Sequence, residues 1–425
     1  MVEQDAKAAA ARLETSGDEP QGPLVWRNWQ ALLIGQPARI NSHSSSGAIV
    51  PSWEEWGLYS DARLIGELGL GPYELMLAFP PLDPRLGFAQ LTVVARSVNH
   101  LLDADGHLRE LEEVDIESYA GGDLGDQLAA LLSLALDRRV RCGGVLRYAL
   151  DGDLAGRPML ASHHPPALGP PSRRPVLPSV AGEAKLEDAA PYLRAYAALS
   201  ASQAVVLQRA ANLFADALWW ADADPRVAWI KLFGAVETAA NLWAGDRSVD
   251  PVQILKRRRG RLYGELKKTA PDALEIVARH LSFTLGAQAK MVEFLLAHHP
   301  GSPPIRPQFG WAPWDELEQA LDVLYDHRSR DLHDGIPFPA PLCEGPISDS
   351  EGVAAERFPG LGAEQAGGRW TAKSLPMYLH TFAYLTGGAL RRWWLELADA
   401  APGHAPDSDP ADARSEPVPG RQIGA

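Results

Sequence analysis

The chain has 425 residues, a formal charge of −14 and 46% hydrophobic residues. It is long enough for two packed units and too acidic to coat nucleic acid over its whole surface. The 2 cysteines, Cys142 and Cys343, supply neither a disulfide framework nor metal-ligand spacing, so no metal, no cofactor and a reducing, cytoplasmic setting are expected. The opening Met1-Val-Glu-Gln-Asp5 lacks the apolar core of a signal peptide. The uncharged run Ala195 to Gln208 is too short and too rich in Ser and Gln to span a bilayer, so no membrane partner is expected.

Residues 1–22 are rich in Ala, Glu and Gly and are expected to be a disordered tail. Residues 23–162 carry mixed signals and are expected to form an α+β domain. Tyr73 to Phe79 and Leu91 to Ala95 read as strands around the turn-rich Pro80 to Pro84. Leu124 to Leu136 reads as a helix, and Arg141 to Leu150 as a strand entering the turn at Asp151-Gly152.

From His163 to Pro178 there are six prolines, which forbid regular helix, so residues 163–188 are expected to be an extended linker. The pair His163-His164 beside these prolines is expected to be an incidental surface pair. Residues 189–399 then turn helical. From Tyr192 through Leu199, Val206 and Leu213 to Trp220, apolar positions recur every three or four residues, which predicts one long amphipathic helix. Asp224 can cap the next helix, with Pro225 at its first position and Gly245 after its end. Val227, Ile230, Phe233 and Ala240 are expected on its inner face. A third helix is expected over Asp272 to Leu296, a fourth from near Pro313, and a last one over Ser374 to Ala398, followed by a disordered tail from 400 to 425.

The fourth helix ends in Tyr325-Asp-His-Arg-Ser-Arg-Asp-Leu-His-Asp-Gly335. Leu317, Leu321 and Leu324 share one face, and Arg328 is the next member of that series. An arginine on a core stripe needs a partner. Glu237 is the matching anomaly on the second helix, in register with Val227 and Ile230, so a buried Glu237–Arg328 contact is expected. Asp334-Gly335 then supplies a stop. Five residues separate Arg328 from His333, a rotation of roughly 140° on an ideal helix, so the two converge only if the helix ends or distorts at His333.

This spelling, Arg328, Ser329, three more residues and then His333, resembles the motif of HEPN domains, helical bundles of prokaryotic toxins and defence proteins. Tyr325, Arg328-Ser329 and the histidine before a glycine are most similar to the Apea-like branch. The resemblance covers roughly residues 190 to 335. It implies an all-α HEPN-type helical bundle there, and with the α+β reading of residues 23–162 the expected fold class is mixed, an N-terminal α+β domain followed by that bundle. It implies a metal-independent RNA endonuclease, commonly a homodimer with two motifs facing each other, in which the RNA's own 2′-hydroxyl is the nucleophile. Arg328 would hold the scissile phosphate, His333 would move protons, and Glu237 would hold the arginine. The N-terminal domain would sense a trigger or restrain the nuclease. The alternative is a non-catalytic HEPN module that binds nucleotide or serves as a scaffold.

Ser329 and Arg330 beside the motif are further candidates for RNA contact, although Ser329, Asp326, His327, Arg330 and Asp331 are each expected first to be solvated surface groups. The dense basic run Lys256, Arg257, Arg258, Arg259 and Arg261, with Lys267-Lys268 beyond it, could neutralise several phosphates of an RNA partner, and Tyr263 could stack on a base. His333-Asp334 also spells the metal-binding pair of HD phosphohydrolases, but further ligands are not assignable. No phosphate loop of the P-loop type, Gly-x-Ser-x-Gly elbow or His-Glu-x-x-His is present.

Overall fold

The computed structural model describes residues 22–33, 53–78, 90–98, 118–149, 153, 155–159, 162–168, 174–245 and 250–400. Residues 1–21 and 401–425 of the tails expected at both ends, the turn at Pro80 to Pro84 and the Asp151-Gly152 turn lie outside the described residues. The architecture is mixed, with an N-terminal antiparallel sheet followed by many helices. Among the described residues, no helix is long and apolar enough to cross a membrane.

After helix α1 (Leu24–Leu33) come strands β1 (Trp53–Ser60), β2 (Arg63–Ile65), β3 (Leu68–Leu70), β4 (Tyr73–Leu77) and β5 (Gln90–Val98). Helix α2 (Leu124–Leu136) precedes β6 (Arg141–Ala149), β7 (Arg157–Pro158) and β8 (Glu183–Lys185). The main sheet has the order β3-β4-β5-β1-β6-β7, and its neighbours pair antiparallel. The strands and the helix expected before residue 150 thus all occur. Every residue of α2 except Asp126 is buried, as expected of a helix that is apolar all round. The sheet covers one side of α2, and the first long helix of the C-terminal region covers the other, where the Gln208 amide donates to the Gln127 carbonyl at 3.0 Å.

The segment between sheet and bundle is not extended in solvent over its described length. Val176, Leu177, Val180 and Leu186 are buried, and β8 pairs in parallel with β2. His163 is no incidental surface residue either. It bridges to Gly144 in the sheet, and its Nε2 lies 2.7 Å from the Tyr59 hydroxyl. One continuous core runs from Val25 through Leu128 and Phe214 to Trp394. Arg139 is almost fully buried at this junction. It donates to the Leu218 carbonyl and pairs with Asp61 and Asp222, and Asp222 also accepts the Val176 amide at 2.7 Å.

The helical region comprises α3 (Ala190–Ala197), α4 (Ala201–Trp220), α5 (Pro225–Ala244), α6 (Pro251–Arg258), α7 (Gly260–Thr269), α8 (Pro271–His298), α9 (Leu317–His333) and α10 (Leu379–Asp399), with a hairpin of β9 (Gly362–Gln365) and β10 (Gly368–Thr371) before α10. The single long helix expected from Tyr192 to Trp220 is two helices. Ser200 is extended and caps α4 in a reciprocal box with Gln203, and this overrides the apolar period that runs through it. Asp224 caps α5 as expected, accepting from the Val227 amide at 3.1 Å. Its buried face is Trp229, Leu232, Phe233, Val236 and Ala240, rotated from the expected one, and Val227 is exposed. Helices α6 and α7, absent from the sequence expectation, close a small second core around Ile254, Leu255 and Ala278.

Candidate functional site

Helix α9 begins with Leu317, Leu321 and Leu324 buried, so the leucine stripe faces the core as its spacing demands. Its next turn carries Tyr325, which meets Phe233 of α5 edge to face at 6.1 Å. Phe233 in turn packs on Phe382, and Trp229 stacks on Phe338 and Phe382. This aromatic cluster holds α9 against α5.

One turn beyond the aromatic contact on each helix stand Arg328 and Glu237. Arg328 Nη2 donates to Glu237 Oε2 at 2.6 Å, and the two side chains are only 17% and 19% exposed. The expected contact is therefore present. The guanidinium also lies over the Tyr325 ring, 5.3 Å from its centroid. Burial pushes the Glu237 carboxyl above the usual carboxylate range, against the opposing influence of Arg328 and the Tyr325 hydroxyl. Burial and the Glu237 charge raise the Tyr325 hydroxyl in turn. The contact is end-on, and Glu237 Oε1 and Arg328 Nε are buried without a hydrogen-bond partner.

Three residues after Arg328, on the same helix face, Asp331 is buried and pairs with Arg226 of α5 at 2.5 Å. It is not the solvated group expected from sequence, because Arg226 reaches over it. His327 is likewise half-buried, with Nε2 2.9 Å from the Ser374 carbonyl, and burial lowers its pKa. Asp326 and Ser329 are half-buried, and Arg330 is exposed.

His333 is exposed at the helix end. The helix does not distort before it. The Asp334 amide donates to the Arg330 carbonyl at 2.9 Å, and only then does Gly335, at φ +67°, turn the chain. Arg328 and Asp331 both reach α5, so His333 is carried away from that face by the rotation of about 140° that five helical residues impose. Its neighbours at the surface are the exposed Leu332 and Ile336.

The basic run lies on α6 and α7. Lys256, Arg259, Arg261, Lys267 and Lys268 are exposed, and Arg258 closes α6. Arg257 is held by Glu293 at 2.7 Å and by Glu318 at 2.9 Å, and Arg261 pairs with Glu265 at 3.1 Å. Lys256 and Lys267 both approach the Tyr263 ring, at 6.0 and 5.8 Å, so that ring meets ammonium groups. Glu318 is at the start of α9 and Arg328 is ten residues on, about 15 Å along the helix. Through Arg257 and Glu318 the run is therefore tied to one end of α9, and the motif lies at the other end.

A concavity unmarked by any motif opens between α2, α4 and β6. It encloses about 290 Å³ and is lined by Asp126, Arg141, Cys142, Asn212, Asp216 and Trp219 among others. Asp123, Asp126 and Cys142 bring possible metal-ligand atoms within 4.8 Å of one another. Burial pushes the Cys142 thiol up to about 12, which holds it in the protonated form that binds metal poorly. The two aspartates already serve as the reciprocal cap of α2.

Comparison with protein-family models, with curated proteins and with solved structures finds no match for this chain.

Proposed function

We propose that this chain is a metal-independent RNA endonuclease of the HEPN type, acting in the cytoplasm in bacterial defence or as a toxin, with the N-terminal sheet region sensing a trigger or restraining the nuclease. The observation that carries this reading is the Arg328–Glu237 pair, 2.6 Å apart and largely buried at the end of the motif helix. A guanidinium held in place by a carboxylate and an aromatic face loses little freedom on binding a phosphate, and can stabilise the charge that develops as the phosphate is attacked. His333, exposed at the end of the same helix, is free to reach a bound strand and move protons. Because His333 points away from the Arg328 face, a complete site requires His333 of a second copy opposite each Arg328. The active form is then a homodimer with its motif helices apposed. Ser329, Arg330 and the exposed cations of α6 and α7 would contact the RNA backbone.

A second reading rests on the same divergence of Arg328 and His333. In it the motif binds nucleotide or serves as a scaffold without chemistry. Incubating the purified protein with total RNA in EDTA separates the two. The nuclease reading expects fragments that vanish in His333→Ala. Intact RNA at protein concentrations that saturate binding supports the scaffold.

A further inference from the structure

The cavity between α2, α4 and β6 has an uneven balance of charge. It is lined by the carboxylates of Asp126 and Asp216, with Asp123 beside the first, and Arg141 is the one cation among the described lining residues. Arg141 is already committed. Its Nη2 meets Asp216 at 3.3 Å, and the guanidinium lies over the rings of Trp219 and Trp220. Lys231 reaches the other oxygen of Asp216 at 2.9 Å, so that carboxylate is doubly paired. Asp123 and Asp126 are not. Among the described residues they accept only each other's backbone amides, at 2.8 and 3.3 Å, and those bonds bring no countercharge. The remaining wall is apolar, made by Ala129, Ala130, Val140, Ala215 and Trp219. The volume of about 290 Å³ lies at the small end of ligand sites, roughly 300–1,000 Å³. We propose that this cavity binds a small organic cation, an ammonium or amidinium group carried on an apolar body.

Asp126 and Asp123 take the charged group through its N–H donors, and the alanines, Val140 and Trp219 cover the body. Asp126 is exposed to the cavity yet ringed by protein, and desolvation, together with Asp123, pushes its carboxyl up. A bound cation relieves that repulsion. An anion meets two uncompensated carboxylates and no uncommitted cation. A metal ion also fits less well. Zinc needs a thiolate here, and burial pushes the Cys142 thiol up to about 12. Hydrated Mg²⁺ gains nothing from the apolar wall. The ligand touches Asp126 and Cys142 on the sheet side and Ala215 and Trp219 on α4. Its binding therefore strengthens the union of sheet and bundle, whatever the motif helix does.

The test is calorimetry on the full chain with phenethylammonium as the probe. Phenethyl alcohol keeps the body without the charge, and 3-phenylpropionate reverses the charge. The ammonium is expected to bind saturably, about tenfold or more tighter than the alcohol, with no binding of the carboxylate. Asp126→Asn keeps an oxygen for the Asp123 amide and should weaken the ammonium about tenfold. Ala215→Leu puts a good helix former at a half-buried position and fills the cavity. It should abolish binding without lowering the melting temperature. The proposal is overturned if the alcohol or the carboxylate binds as tightly as the ammonium, or if ammonium binding survives either substitution undiminished. A chain that binds none of the three probes, or that takes Zn²⁺ or Mg²⁺ in their place, overturns it as well.

Discussion

Arg328 and Glu237 meet at 2.6 Å where α9 crosses α5, one turn beyond the contact of Tyr325 with Phe233. The pair is thus a clamp between two helices and, in the proposed nuclease, also the phosphate-holding part of the motif. The two roles separate by mutation. Arg328→Ala should cost about 1–3 kcal/mol, because it strands a largely buried carboxylate. His333→Ala, at an exposed helix end, should stay within about 0.5 kcal/mol of the parent. Both should abolish RNA cleavage. Thermal melts alongside a cleavage assay check this, and equal stability of the two variants would show that the clamp contributes nothing.

Arg139 joins the sheet to the bundle. Arg139→Ala leaves Asp61 and Asp222 facing each other in a nearly dry site and frees the Leu218 carbonyl. The expected loss is about 3–5 kcal/mol, read by chemical denaturation. Replacing Arg139, Asp61 and Asp222 together with apolar residues should recover much of it. A loss below about 1 kcal/mol for the single change would mean the network is not a junction.

The continuous core predicts one cooperative unfolding transition rather than two. Trypsin should be able to nick the chain around the proline-rich segment, yet the two pieces should co-elute in gel filtration, because α2 is buried between the sheet and α4. Release of a stable piece beginning near residue 189 would contradict this.

His380 Nε2–H donates to the Ala355 carbonyl, 2.8 Å away, and burial lowers its pKa, as it does for His327. A histidine with a depressed folded pKa contributes stability that is present above its unfolded value, about 6.5, and is lost as pH falls through the folded value. The free energy of unfolding should therefore fall on going from about pH 7 to about pH 5, by up to about 1.4 kcal/mol per pH unit for each histidine, and the melting temperature should fall with it. His380→Gln should flatten that slope. An unchanged slope would remove His380 from the account.

If α6 and α7 touch RNA, replacing Lys256, Lys267 and Lys268 with Ala should weaken binding uniformly across sequences. It should also lower the salt dependence by about one unit of slope for each phosphate that is no longer neutralised. Arg257→Ala should instead lower stability, since Glu293 and Glu318 each lose an ion pair. Fluorescence anisotropy over a salt series distinguishes these outcomes.

Sequence by itself determined what depends on near neighbours. The buried helix Leu124–Leu136, the Asp224-Pro225 cap and the leucine stripe of α9 follow from period and local hydrogen bonding. Even one long-range contact was legible, because Glu237 and Arg328 are isolated charges on two apolar stripes, and each needs the other. The break at Ser200 was also written locally, as a Ser-x-x-Gln cap, but an unbroken apolar period masks it. Tertiary structure alone decided the rest. Nothing near Asp331 in the chain predicts its burial, because its partner Arg226 stands on another helix. The direction of His333 depends on α9 staying helical through that residue while Arg328 and Asp331 hold its opposite face to α5. The union of sheet and bundle depends on Arg139 reaching groups 78 and 83 residues away along the chain. Local pattern sets which elements form, and the requirement that every buried charge find a partner sets how they meet.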